Sequence, residues 1–199
     1  MPETADTPAR NSQEGAGPDA SGENIQLRTP SLTDGAALWR LAEGTGVLDL
    51  NTPYAYLLWT RDFGDTSVIA TVEGEPAGFI SGYLKPADPQ TLFIWQVAVD
   101  SRFRGRRLAS RMLSDLTARS GASRLETTIT ADNEASIALF TGLARDHGAE
   151  ITRRDLFTED LFPSDQESGE RHAAEDLYTV EPLRPSETGG AAARPSKPA

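Results

Sequence analysis

The chain reads as an α/β (α+β) domain, a mixed and mostly antiparallel central sheet of about seven strands flanked by four helices. Three observations predict this. The runs "SVIATV" (67–72), "AGFISGYL" (77–84) and "TLFIWQVAV" (91–99) are β-branched and aromatic. Their connectors, "EGEP" and "KPADPQ", carry turn residues and are too short for a crossover, so the three strands form an antiparallel meander. Segments with helical spacing lie before and after this block, giving the order β-α-α-β-β-β-α-β-α-β-β without an internal repeat.

Taken in order, "IQLRTP" (25–30) is a short strand. "SLTDGAALWRLAEG" follows, with Ser31 and Asp34 spaced as a capping box and Leu38, Leu41 and Ala42 on one face of a helix. "PYAYLLWTRDF" opens on Pro53, a good first helical residue, and is a second short helix. After the meander, Leu108, Met112, Leu113 and Leu116 recur at helical spacing, and "SRLETTIT" alternates as a strand. "NEASIALFTGLARDHG" is a helix with Ile137, Phe140 and Ala144 as its stripe and Gly148 as its stop. "AEITRRDLFTED" and "AEDLYTVEPL" are two further strands, joined by a polar loop around 163–174.

The 199 residues suffice for one domain with a sizeable core. Residues 1–24 and 184–199 are rich in Pro, Gly, Ala and Ser with little to bury, and are expected as disordered tails around a domain at 25–183. The formal net charge is −11; the first 24 residues carry −4 and the last 16 carry +2, so the stretch between carries −9. Such a domain repels polyanions, and the surplus of acids suits solubility in concentrated salt as well as an ordinary acidic cytosolic protein. There is no cysteine, which excludes disulfides and thiolate chemistry and fits a reducing compartment. No apolar run approaches the roughly 20 residues of a membrane span, and the N-terminal stretch lacks the pattern of a secretory signal. The expectation is a cytoplasmic protein with no membrane partner.

The strand "IWQVAV" runs into "DSRFRGRRLAS", which runs into an amphipathic helix. A helix N-terminus presents unpaired N–H groups and partial positive charge, the chemistry of a phosphate site. Gly105 lets the backbone approach a ligand, Ala109 and Ser110 keep the first turn small, and Arg104, Arg106 and Arg107 supply charge at the rim. Neither a P-loop nor a dinucleotide fingerprint is present. Two other readings of the arginines stand beside this one: a solvated basic turn, and a nucleic-acid patch. The acidity of the rest and the lack of interleaved aromatics argue against the second, so no nucleic-acid partner is expected.

A hydrophobic strand ending V-x-V, followed by a basic, glycine-bearing loop that opens a helix, resembles the acyl-CoA site of the GNAT N-acetyltransferase superfamily. Here the motif runs Arg104, Gly105, Arg106, Arg107, Leu108, Ala109, with Arg107 where a second glycine usually stands. Within that superfamily, "LDLNTPYAYLL", "DTSVIA", "FISGY", "TLFIWQVAVD", "LETTITADNEAS" and the late "RHAAEDLYTV" resemble the L-2,4-diaminobutyrate acetyltransferases of ectoine biosynthesis, over roughly residues 25–182. The resemblance implies acetyl-CoA as co-substrate, the side-chain amine of diaminobutyrate as acceptor and a homodimer. Another amine acetyltransferase of the same fold is the alternative.

The resemblance also assigns roles. The main chain at Val97, Ala98 and Val99 pairs with the pantetheine arm, the other reading being an ordinary core strand. Asp49 and Glu175 hold the acceptor's cationic groups, and either deprotonates the amine, directly or through water. Read from their positions, Tyr54 and Trp95 wall the substrate, with a core tryptophan as the other reading of Trp95; His172, three before Glu175 on a polar loop, reads either as part of the same site or as a solvated residue. Asn133 and Ser136 open the helix that contacts the coenzyme, where Asn133 also suits a helix cap. Phe140 stands where many of these enzymes carry a tyrosine that protonates the departing thiolate, so no general acid is assigned. His147 reads as a partner for its helix dipole. With two distant histidines and no cysteine, no metal is expected.

Overall fold

The computed structural model describes residues 22–162 and 172–183. Among them the elements run β1 (Ile25–Arg28), α1 (Gly35–Thr45), α2 (Pro53–Asp62), β2 (Val68–Val72), β3 (Glu75–Lys85), β4 (Asp88–Val99), α3 (Leu108–Ser120), β5 (Arg124–Thr130), α4 (Glu134–His147), β6 (Glu150–Phe157) and β7 (Glu175–Glu181). This is the predicted order of strands and helices. Most of the two expected tails and of the 163–174 loop lies outside the described residues. Asn24 is described, and its N–H donates to the Glu73 carboxylate at 2.7 Å.

The sheet order is β1-β2-β3-β4-β5-β7-β6. Every pairing is antiparallel except β4 with β5. The β3–β4 hairpin is longer than its apolar runs predict, with Lys85 opposite Asp88. Its tip is exposed, so hydrophobic patterning stops before the backbone pairing does. α1 starts at Gly35 rather than just after Ser31, because a short 3-10 turn at Leu32–Asp34 precedes it. Asp34 ties that turn down: it accepts from the Ser31 N–H at 2.7 Å, from the Ser31 hydroxyl at 2.8 Å, and from both Arg28 guanidinium nitrogens at 2.7 Å.

Two cores lie on opposite faces. Leu108, Met112, Leu113 and Leu116 of α3 and Phe140, Leu143 and Ala144 of α4 bury against Leu92, Ile94, Leu125 and Ile129 of the sheet. Leu38, Leu41 and Ala42 of α1 and Tyr56 of α2 bury against Ile69, Phe79 and Ala98. Phe140 is thus a core residue.

Two features of β4 shape the site. Ser81 pairs with Gln96 while Gly82 pairs with Ile94, so Trp95 is the extra residue of a β-bulge. The bulge swaps faces: Leu92 and Ile94 point to the α3/α4 core, whereas Ala98 points to the α1/α2 core. Pairing of β4 with β5 spans only Thr91–Ile94 against Arg124–Thr127. Beyond the bulge, Val97, Ala98 and Val99 pair with Ile80, Phe79 and Gly78 on one side, while the ladder to β5 has ended on the other.

Candidate active site

The basic loop leads directly into α3, as its sequence context predicts, but its charges are not all free. Gly105 has φ +80°, and Arg107, the residue immediately before α3, has φ +58°. Arg107 therefore adopts the left-handed backbone that a glycine would adopt there, at a steric cost of about 1 kcal/mol. Leu108 is buried, anchoring the helix, and its neighbours Ala109 and Ser110 are partly and fully exposed. Of the loop's arginines, Arg102 is engaged by Asp100 and Glu75, and Arg106 by Glu23. Arg104 and Arg107 are exposed and make no ion pair among the described residues, so they hold the charge still available to an anion. Arg107, Ser110 and Arg111 of α3 and Glu134, Ile137 and Thr141 of α4 line a cleft of about 940 Å³, the size of a ligand site.

At the start of α4 the cap reading holds. Asn133 accepts from the Ser136 N–H at 3.0 Å through its side-chain oxygen. Both residues stand at the helix mouth beside the cleft-lining Glu134. Gly148 ends the helix as predicted.

On the other face the structure brings together three of the predicted residues. Asp49, in the loop between α1 and α2, and His172 and Glu175, at the start of β7, place their polar atoms within 4.8 Å of one another. They are 123 and 126 positions apart in sequence, so no periodicity links them. His172 Nε2 lies 2.9 Å from the Asp49 carboxylate, and Nδ1 lies 3.0 Å from the Ala173 carbonyl. The Ala173 carbonyl accepts hydrogen bonds and so does an ionised Asp49, an arrangement that favours the doubly protonated ring. The Ala173 carbonyl first, and Asp49 second, accordingly raise its pKa above the usual 6.5. Phe162 stacks on the ring at 3.8 Å between centroids and 8° between planes.

Trp95 stacks on Trp59 of α2, with centroids 4.2 Å apart, and Trp59 is held by its indole N–H donating to Ser67 at 3.2 Å. Tyr54 differs from Trp95: on the first turn of α2, it is 66% exposed. Sequence reasoning missed Trp59, Phe162 and Gln96. Gln96 donates from Nε2 to the Asp49 carbonyl at 3.0 Å. Its signal was present, a lone amide inside the apolar run "IWQVAV"; Trp59 and Phe162 carry no such signal.

An antiparallel-dominated sheet that opens beside a bulge, with a basic turn and a helix N-terminus beyond it, defines the class, and residues 36–143 match the acetyltransferase (GNAT) family. The chain is 48% identical over 166 residues to the L-2,4-diaminobutyric acid acetyltransferase of Streptomyces avermitilis, covering 81% of this chain and 90% of that one. It is 47% identical over 160 residues to the Nocardia farcinica enzyme of the same name, covering 79% and 80%. A solved structure of the diaminobutyrate acetyltransferase EctA from Paenibacillus lautus, in complex with its substrate L-2,4-diaminobutyric acid and coenzyme A, superposes with a TM-score of 0.77 at 38% identity, covering 82% of this chain and 98% of that one. This chain belongs to the diaminobutyrate acetyltransferase family within the GNAT acetyltransferases.

Proposed function

We propose that the chain transfers the acetyl group of acetyl-CoA to the 4-amino group of L-2,4-diaminobutyrate, giving the N4-acetyl precursor of ectoine. The observation that carries this is the meeting of Asp49, His172 and Glu175 at a loop that Gln96 ties to β4, where that strand has parted from β5. An acceptor with two ammonium groups needs anions at this place, and Asp49 and Glu175 supply them.

The residues divide the work. The backbone of Val97, Ala98 and Val99 offers its β5-side hydrogen-bonding groups to the pantetheine arm, and an N–H there polarises the thioester carbonyl. Gly105, Arg104 and Arg107, with the first turn of α3, hold the pyrophosphate, and Arg106 contributes only if it leaves Glu23. Asp49 is hydrogen-bonded to His172, so it orients and holds charge. Glu175 is then the group best suited to take the proton from the acceptor's ammonium, leaving a neutral amine to attack the carbonyl carbon. The new C–N bond forms as the C–S bond breaks, and the second proton of the attacking nitrogen passes to the departing thiolate, so that coenzyme A leaves as the thiol. Trp95, backed by Trp59, faces the acceptor's methylenes.

The reading extends to a cytoplasmic homodimer. The absence of cysteine supports a reducing compartment, and no helix among the described residues is long and apolar enough to cross a membrane. Sedimentation velocity tests the dimer. For the chemistry, Glu175→Gln keeps the shape and removes the base. We expect kcat with diaminobutyrate to fall about 10²-fold or more, with KM for acetyl-CoA unchanged. An unaltered kcat removes Glu175 from the role of base.

A further inference from the structure

The acceptor-side face of β4 carries an unusual concentration of buried polar atoms. Gln96 is 5% exposed, Ser81 2% and Tyr56 2%. The Gln96 Oε1, the Ser81 hydroxyl and the Tyr56 hydroxyl are fully buried, and none has a hydrogen-bond partner among the described residues. Each such group costs roughly 1–3 kcal/mol when left unmade, so three at one place call for a reason. They do lie at one place. Ser81 is directly opposite Gln96 across the β3–β4 ladder. Burial raises the Tyr56 phenol pKa, and the hydroxyl lies close enough to Gln96 and Asn51 for both to oppose the rise.

The polarity of that loop settles which way the amide points. The Asp49 carbonyl can only accept, so it takes the NH2 end of Gln96, at 3.0 Å, and leaves the oxygen end buried without a partner among the described residues. A reversed amide would set oxygen against oxygen. The bulge at Trp95 is what turns Gln96 to this face at all. The Asp49 side chain itself is 80% exposed. Its main chain has two side-chain donors, Gln96 from the sheet and Asn51, at 3.4 Å, from the loop itself. Only the first ties the loop to the body of the protein.

We propose that Gln96 is a positioning residue for acetyl transfer: its carboxamide fixes the Asp49 loop, and so the Asp49–His172–Glu175 group, against the strand whose edge opens beside the bulge. The buried hydroxyls of Tyr56 and Ser81, unpartnered among the described residues, belong to the same face. Gln96 touches neither reacting atom. It sets the distance between the acceptor's binding groups and the acyl strand, for which misplacement by about 1 Å can cost two orders of magnitude. This rests on the diaminobutyrate reading above.

The test compares wild type with Gln96→Met, which keeps length and volume without either polar end, and with Gln96→Glu, which keeps shape but swaps the donor for an acceptor. Thiol release is measured against both substrates, with Tm for each protein. The expected result is a rise of tenfold or more in KM for diaminobutyrate in both variants, with KM for acetyl-CoA within twofold and Tm of the Met variant within a few degrees. Combined with Asp49→Asn, Gln96→Met should add little further loss, because both act through one group. Equal rises in the two KM values, or fully additive losses with Asp49→Asn, overturn the proposal. A wild type inactive on diaminobutyrate overturns the function instead, whereas an active wild type matched by Gln96→Met overturns only the role of Gln96.

Discussion

His172 has an acceptor beside each ring nitrogen, a geometry that favours its charged form. The sign of its pH dependence follows. Its folded pKa is raised above 6.5, so the contact with Asp49 is complete below pH 6.5 and is lost as pH rises through the raised value. We expect KM for diaminobutyrate in the wild type to climb over that range. In His172→Gln, which keeps a donor but cannot titrate, the step should vanish from the KM–pH profile. The same inflection in both proteins would assign the titration elsewhere. At this scale the sequence was legible only in part. Asp49, His172 and Glu175 came from resemblance, since spacing cannot connect residues 123 and 126 apart. Nor does the sequence show that Glu23 pairs with Arg106, one of the arginines it offers to a phosphate.

The elements owe their placement to a few contacts that local pattern does encode. The Ser31–Asp34 box was readable, and its strength comes from an addition that was not, the paired Arg28 guanidinium of β1. That hydrogen bond, more than the neighbouring N–H and hydroxyl of Ser31, lowers the Asp34 pKa from 3.8 to about 2. The stabilisation is present above pH 3.8 and disappears as pH falls toward 2. Because solvent screens the half-exposed Arg28, we expect Asp34→Asn to cost about 1–2 kcal/mol, read as a lower Tm at pH 7 that converges with wild type near pH 2. β4 depends on a close approach from β3. A Cβ at Gly78 would lie 2.7 Å from the Ala98 carbonyl oxygen and 3.1 Å from the end of Met112. Gly78→Ala must therefore push the backbone of β4, costing about 1–3 kcal/mol and raising KM for acetyl-CoA. A Tm drop with unchanged KM would separate the packing of β4 from its role toward the coenzyme. The bulge that re-aims Trp95 and Gln96 left no trace in the pattern, because a continuous apolar run looks the same with or without an extra residue.

For the whole molecule, alternation and helical spacing gave the order of strands and helices, since those periods report burial directly. They did not reveal that β4 and β5 part after four paired residues, which is a property of the assembled sheet. In the proposed function, that parting, between a basic helix start on one face and the Asp49–His172–Glu175 group on the other, lets one acidic domain hold an anionic coenzyme and a cationic acceptor at once. The most direct test is the ratio of kcat/KM values for thiol release with diaminobutyrate, ornithine, lysine and a peptide amine as acceptors, with the acetylated nitrogen located by NMR. Diaminobutyrate is expected to be preferred by at least tenfold and to carry the acetyl group on its 4-amino nitrogen. Preference for a longer diamine or a peptide, or acetylation at the 2-amino nitrogen, would contradict this account.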